Sequence, residues 1–405
     1  MKKKIISVGA FYLSDIEKKA IVEVLDSGRI SEGKKVREFE ELWSKYIGTK
    51  YSIAVNSGTS ALIAGLSAYT YFVRNKIKSN RKKVITSPLT YVATSNALIH
   101  TGYIPVFVDI DPKTFVITPD RIEEYLKSTK DTEDHCLILP VHLMGYVCDM
   151  DEIRKIANKY NMYIIEDAAQ SHGSLYKGKK AGSLSLLSIF SFYIAHNIQA
   201  GEMGAINTDN EDINHLCRKL KVSGRVCDCL ICTRYMGKCP HISLDEEDYD
   251  PRFTHDIIGY NFKITEFQAA LAITQVKKAE KIFLKRQFNV KYLNEKLKKF
   301  SNILQLPVYS PDISYLAYPI VIRDNKVINR KTLRSRLEKE GVETRPLFGC
   351  IPTQQPAYSF LKREYIDRLP NADYIGKNGF YIGCHQFLNK DDLDYIVYVF
   401  EKILK

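Results

Sequence analysis

Short apolar runs alternate with helix-period segments through the first two-thirds of the chain. Tyr51–Asn56 reads as a strand, Thr59–Tyr71 as a helix, Lys83–Thr86 as a strand, Tyr91–His100 as a helix and Ile104–Ile110 as a strand. The alternation continues with Pro119–Lys127 helical, Cys136–Val141 extended, Asp151–Tyr160 helical and Met162–Glu166 extended. Strands that are apolar along their whole length, each followed by a helix, predict a mainly parallel sheet covered on both faces. From about Thr265 to Lys298 the period stays helical, and a mixed α/β tail runs to Lys405. The expectation is an α/β chain with a large domain over 1–275, interrupted by an insertion at about 225–255, and a smaller C-terminal domain over 276–405.

The length of 405 residues and the 45% apolar content are those of a soluble globular protein. The net charge of +12 is dispersed, with Lys78, Arg81, Lys82 and Lys83 the densest group. No basic face interleaved with aromatics accompanies it, which argues against nucleic-acid binding and leaves a general attraction for anionic nucleotides. Met1-Lys2-Lys3-Lys4 and the apolar residues after it mimic a signal peptide. Asp15, Glu17, Lys18 and Lys19 follow at once without a small-residue cleavage site, so a cytoplasmic protein is expected. The longest apolar stretch, Leu184–Ala195, is too short to span a bilayer. Nine cysteines in such a chain imply thiols or metal ligands rather than disulfides.

Three segments carry candidate chemistry. Asn56-Ser57-Gly58-Thr59-Ser60-Ala61 follows a strand and opens a helix, where small residues and the helix dipole favour an anion. Glu166-Asp167-Ala168-Ala169-Gln170-Ser171-His172-Gly173 ends an apolar strand, a usual place for a ligand-facing carboxylate. Ser191-Phe192-Tyr193-Ile194-Ala195-His196 then leads into Gly201-Glu202-Met203-Gly204. In this order and spacing, together with Ser87–Thr94, Pro140–Leu143, Gly259–Glu266 and Glu343–Leu347, these segments resemble the DegT/DnrJ/EryC1/StrS family of sugar aminotransferases. That resemblance runs from about Ile6 to the C-terminus.

The resemblance implies a fold-type-I, aspartate-aminotransferase-like transferase using pyridoxal phosphate (PLP), and a homodimer with active sites at the interface. It implies that Asp167 pairs with the pyridine nitrogen, Gln170 approaches the ring hydroxyl and Tyr91 stacks on the ring. Gly58, Thr59 and Ser191 then hold the phosphate, and Asn261 reaches it from a partner subunit. Arg345 is a candidate for substrate or its phosphates, or for a structural ion pair. His142 and His172 are expected to serve packing.

His196 occupies the position of the family's cofactor-binding lysine. Imidazole has no primary amine to condense with an aldehyde, yet it moves protons near neutral pH. No lysine occurs between Lys180 and Lys219 to take over the attachment. The histidine is similar to that of the branch of 3-dehydratases acting on nucleotide-linked 4-keto-6-deoxyhexoses, which use pyridoxamine phosphate (PMP). That branch implies an acid/base role for His196 at the cofactor C4′ carbon while the C3 hydroxyl leaves as water. A sugar aminotransferase with unusual proton transfer and a non-catalytic paralogue are the rival readings. Met203 departs from the family's glycine.

Cys227, Cys229, Cys232 and Cys239 fall in the insertion with spacing C-x-C-x2-C-x6-C, which points to a metal or cluster site. The insertion resembles that of the CDP-6-deoxy-4-keto-glucose 3-dehydrase type, which carries a [2Fe–2S] cluster fed by a partner reductase. There, one ligand comes from the stretch after the strand-end Asp; here Asp167-Ala168-Ala169-Gln170 has no cysteine. All four insertion thiols, Cys148 or another distant thiol as the fourth ligand, or zinc in place of the cluster therefore stay open. Cys136, Cys217, Cys350 and Cys384 read as ordinary buried thiols.

Overall fold

The computed structural model describes residues 2–74, 81–227, 229, 233–238 and 250–404. Its centre is a seven-stranded sheet. The strands are β1 (Tyr51–Val55), β2 (Lys83–Thr86), β3 (Ile104–Phe107), β4 (His135–Leu139), β5 (Tyr163–Asp167), β8 (Leu187–Ser191) and β9 (Gly204–Thr208). A small hairpin, β6 (Leu175–Tyr176) with β7 (Lys179–Lys180), stands between β5 and β8. The strand order is β1-β9-β8-β5-β4-β2-β3, parallel from β3 through β8, with β9 reversed against both its neighbours.

The helices preceding and crossing this sheet are α1 (Asp15–Asp26), α2 (Lys34–Ile47), α3 (Gly58–Arg74), α4 (Ala93–His100), α5 (Pro119–Ser128), α6 (Met150–Lys159) and α7 (Glu211–Leu220). The long helical stretch resolves into α8 (Glu266–Val276) and α9 (Ala279–Leu297), broken at Lys277–Lys278. Alternation along β1 decides which helices cover which face. Ile53 and Val55 join Leu66, Leu98 and Leu220 from α3, α4 and α7, whereas Ala54 faces Phe39, Trp43 and Ile273 from α2 and α8.

Local chemistry sets several boundaries. Thr118 caps α5 and precedes a proline at its first position; Asn210 caps α7 through the Ile213 N–H at 3.0 Å. The strand expected over 104–110 stops at Phe107. Two residues later, Asp109 turns its buried carboxylate to the N–H groups of Asn371 and Ala372, both at 3.0 Å, opening the helix Pro370–Asn378. That bond ties the C-terminal region to the sheet. The region itself is built on an antiparallel sheet ordered β10 (Leu304–Gln305), β11 (Tyr318–Ile322), β13 (Gly379–Ile382) and β12 (Thr344–Pro346). The largest core cluster joins both parts, from Ile85 and Ile138 to Ile320 and Phe380. Among the described residues no helix is long and apolar enough to cross a membrane.

Candidate active site

The candidate residues meet at the carboxyl ends of β5 and β8, beside the start of α3. Ser57 caps α3: its hydroxyl accepts the Ser60 N–H at 3.1 Å and bonds the Ser60 hydroxyl at 2.9 Å. The first-turn N–H groups of Gly58 and Thr59 have no acceptor within the helix, as at any helix start. Glycine is required twice here. A Cβ on Gly58 would lie 2.6 Å from Ser191 Cβ, and one on Gly204 would lie 2.2 Å from the Ser57 carbonyl oxygen. The loop, Ser191 and β9 are thus packed backbone to backbone, with Asn56 presenting a buried Oδ1 that no group among the described residues satisfies.

Asp167 ends β5 beside Ile189 of β8. Its carboxylate is buried and accepts the Thr94 hydroxyl at 2.7 Å and the Ala169 N–H at 3.2 Å. Burial raises its pKa, a shift that those two donors and the field of His142 offset only in part. Thr94 also bonds Thr90 at 3.0 Å and takes its N–H to the Tyr91 carbonyl at 3.2 Å, which places Tyr91 in the turn before α4. The Tyr91 ring is exposed and 6.0 Å from Phe348. Gln170 is buried, and its Oε1 accepts the Met144 N–H at 3.0 Å.

His196 sits in the connection between β8 and β9, a loop closed at its base. Ser191 pairs with Gly204, Phe192 N–H donates to the Met203 carbonyl, Ala200 N–H donates to the Phe192 carbonyl, both at 2.8 Å, and Gln199 reaches back to the Ile194 carbonyl at 2.6 Å. Met203 is fully buried in the core that holds Trp43 and Phe192, so the departure from glycine there is a packing choice. The His196 ring lies 6.0 Å from His172 and 6.2 Å from Tyr193, and its Nδ1 is buried without a partner among the described residues. Burial pushes its titration down to about 4. The ring is therefore neutral at physiological pH, the state a general base requires.

Across residues 12–401 the chain matches the model of the DegT/DnrJ/EryC1/StrS aminotransferase family. The chain belongs to that family. A dTDP-4-dehydro-2,6-dideoxy-D-glucose 3-dehydratase of Saccharopolyspora spinosa is 31% identical to this DegT/DnrJ/EryC1/StrS protein, covering 95% of this chain and 83% of its own. A GDP-perosamine synthase of Caulobacter vibrioides is 30% identical, covering 98% of each. The solved Escherichia coli GDP-4-keto-6-deoxy-D-mannose-3-dehydratase with bound hydrated PLP superposes with a TM-score of 0.85 at 27% identity, over 99% of this chain and 100% of that one. The architecture is thus that of the PLP-dependent aminotransferase fold, as the sequence implied.

The residues fit PLP. A buried carboxylate held only by a hydroxyl and an amide suits a protonated pyridine nitrogen, and the Gly58–Thr59 helix start beside Ser191 suits a phosphate. Asn261 is exposed on this chain, in a segment that is bridged to Val222 and whose Phe262 carbonyl accepts the Asn56 N–H at 3.0 Å. Arg345, on β12 opposite Tyr381, is exposed and engages Glu343 at 2.8 and 3.1 Å, so it makes the ion pair that sequence left open. Cys232 and Cys239 lie outside the described residues; Cys227 is buried and Cys229 half-buried. Among the described residues no group of three or more His, Cys, Asp or Glu is placed to hold a metal. Cys148 is sealed in the main core, its thiol donating to the Val141 carbonyl at 3.6 Å.

The two packing histidines differ. His142 accepts the Cys148 N–H at Nδ1 and donates from Nε2 to Glu166 at 3.0 Å, a buried carboxylate that also takes the Gly182 and Leu184 N–H groups, both at 2.8 Å. His172 stands among Trp43, Phe190 and Phe192, with ring centroids 5.0–5.7 Å apart. Sequence reasoning missed Thr94. Thr94 lies within one of the family-like motifs, and only its contact with Asp167 gives it a role.

Proposed function

We propose that this chain is a PMP-dependent 3-dehydratase of a nucleotide-linked 4-keto-6-deoxyhexose, acting in deoxysugar biosynthesis. The observation that carries the reading is His196, an imidazole where the family carries its cofactor-binding lysine, in a segment free of lysine. The lysines flanking that segment are committed elsewhere. Lys180 lies over the Tyr46 ring at 3.8 Å, Lys219 pairs with Asp256 at 2.6 Å, and Lys221 is buried between Glu32, Glu40 and the Ala54 carbonyl.

When bound, PMP supplies the amine that meets the C4 ketone and a ring that accepts electrons. Asp167 would hold the pyridine nitrogen protonated, Gly58, Thr59 and Ser191 would hold the phosphate, Tyr91 would cover the ring face, and Gln170 would approach the ring hydroxyl. Asn261 completes the phosphate site from a second copy of the chain. His196 takes the proton at the cofactor C4′ carbon and returns one to the departing C3 hydroxyl, so that water is lost. Arg345 is a candidate contact for the substrate or its phosphates. The kinship with two 3-dehydratases supports this reading, and a GDP-perosamine synthase at nearly equal identity keeps transamination as its rival.

The cysteine insertion is read as a [2Fe–2S] site of Cys227, Cys229, Cys232 and Cys239 served by a reductase, with zinc as the alternative. That reading rests on spacing alone. The deciding experiment offers anaerobically purified protein, loaded with PMP, a panel of nucleotide-linked 4-keto-6-deoxyhexoses with glutamate or with a reductant and electron carrier. Mass analysis of a product without its C3 oxygen supports the dehydratase. A 4-amino product that keeps this oxygen overturns it. Iron, sulfide and zinc analysis of the same preparation identifies the metal.

A further inference from the structure

Strand β1 is the edge of the central sheet and pairs with β9 on one side only. On the other side Ser52, Ala54 and Asn56 turn backbone groups outward, and such an edge has to be covered or satisfied. Charged side chains do so along most of it. The Ala54 N–H donates to Glu40 Oε1 at 2.8 Å, the Ala54 carbonyl accepts Lys221 Nζ at 3.0 Å, and the Ser52 carbonyl accepts Arg218 Nη2 at 3.2 Å. At Asn56 the partner becomes backbone: its N–H donates to the Phe262 carbonyl at 3.0 Å. Ser57 and the start of α3 at Gly58 follow at once.

Lys221 joins everything that meets this edge. It is the residue after α7, with 2% of its side chain exposed, and its ammonium lies 3.1 Å from Glu32 and 3.6 Å from Glu40. Its carbonyl accepts the Phe262 N–H at 3.0 Å, and the Glu32 carboxylate accepts the Ile264 N–H at 3.1 Å. The Leu220 carbonyl takes the Tyr260 N–H at 2.6 Å, so Asn261 stands between two residues tied to the end of α7. Arg218 holds the second oxygen of Glu40 at 3.0 Å, and the four side chains carry two charges of each sign. A buried ion cluster adds little net stability over apolar packing of the same volume. What apolar packing cannot supply is the aim of the Ala54 carbonyl and of the two carboxylates.

We propose that Lys221 is a positioning residue for the cofactor phosphate: its ammonium and its carbonyl lock the turn from β1 into α3 to the segment that carries Asn261. The inference rests on the phosphate placement at Gly58, Thr59 and Ser191 given above. Backbone N–H groups hold an anion in directions that the chain itself fixes. A shift at Asn56 therefore passes to Gly58 and Thr59. It cannot be absorbed on the far side, because Gly58 already packs on Ser191 so closely that a Cβ would lie 2.6 Å from that side chain. On the same reading Asn261 serves the phosphate of a second copy, so one ammonium sets what this chain gives to both sites.

The test compares PMP with pyridoxamine, which lacks the phosphate, by calorimetric titration of the full-length protein. Wild type is expected to prefer PMP. Lys221→Met removes the ammonium and leaves Glu32 unpaired. The double variant Lys221→Met/Glu32→Gln removes one charge of each sign and leaves the Glu40–Arg218 pair whole, which keeps the test open should the single variant not fold. In either, the preference for PMP over pyridoxamine is expected to fall about tenfold, as for one misaligned hydrogen bond to a charged group, with pyridoxamine binding unchanged. A lysine that only stabilises the fold would weaken both ligands alike or neither, so an unchanged preference in a folded variant overturns the proposal. A wild type that binds PMP no more tightly than pyridoxamine overturns the phosphate placement itself, and this inference with it. Neither titration needs the sugar, so product analysis decides the dehydratase reading separately.

Discussion

Glu266→Gln is the most informative stability perturbation, because the glutamate closes a helix to which it does not belong. Helix α2 starts after Gly33, which has no side chain to cap it. The buried Glu266 carboxylate does so from α8. One oxygen takes the Gly33 and Val36 N–H groups at 2.8 and 3.0 Å, and the other takes that of Lys35 at 2.8 Å. A glutamine of the same shape presents one oxygen and one NH2. Two bonds then fall from charge-assisted to neutral, at about 1 kcal/mol each, and the Lys35 N–H loses its acceptor at about 1–3 kcal/mol. Loss of the favourable anion at the helix start adds a few tenths of a kcal/mol or more. With non-additivity, the expected cost is about 3 kcal/mol, roughly a hundredfold in the opening equilibrium of the first turn. Hydrogen exchange over residues 33–36, read by mass spectrometry, measures that opening directly and does not require two-state unfolding. Exchange at the wild-type rate, with an unchanged melting temperature, would refute the reasoning. The consequence reaches the site, since α2 carries Phe39 and Trp43 against Phe192.

Two further outcomes follow from other buried contacts. Burial would raise the Glu17 pKa, but bonds from Lys278 and Ser14 lower it to about 2, so its ionisation stabilises the fold above the unfolded value near 4.5 and is lost as pH falls toward 2. Glu17→Gln should therefore flatten about 2 kcal/mol of the acid limb between about pH 6 and 3, measured by urea unfolding; an acid limb as steep as wild type would contradict it. Gly204→Ala drives a Cβ into the Ser57 backbone; the melting temperature should fall and PLP affinity by absorbance titration should fall more than tenfold, and an unchanged melting temperature and Kd would speak against the packing argument.

Much of this is legible in the sequence where one interaction range dominates. The β2 limits are those the sequence predicts, because a short apolar strand between polar flanks is decided locally. Helix α3 runs on to Arg74, three residues beyond its expected end. Strand β9 escapes the periodicity: Gly204-Ala205-Ile206-Asn207-Thr208 has little apolar signal of its own, and becomes a strand by inserting between β1 and β8. The helix start at Gly58, Asp167 and His196 are visible as motifs because their chemistry depends on residue type and order. Lys221 and Glu266 are not, since each acts on partners some 170 to 230 residues away through burial and backbone groups that composition does not encode.

The loop that carries His196 is zipped at both ends, with Ser191 registered on Gly204 and Tyr193 bridged to Gly201. A residue gained or lost inside it would slip β9 by one position and turn Ala205 and Ile206 to the wrong faces of the sheet. A residue exchanged at 196 disturbs no such pairing. The frame is therefore closed to changes of length and open to changes of side chain, so position 196 can be exchanged on an unaltered backbone.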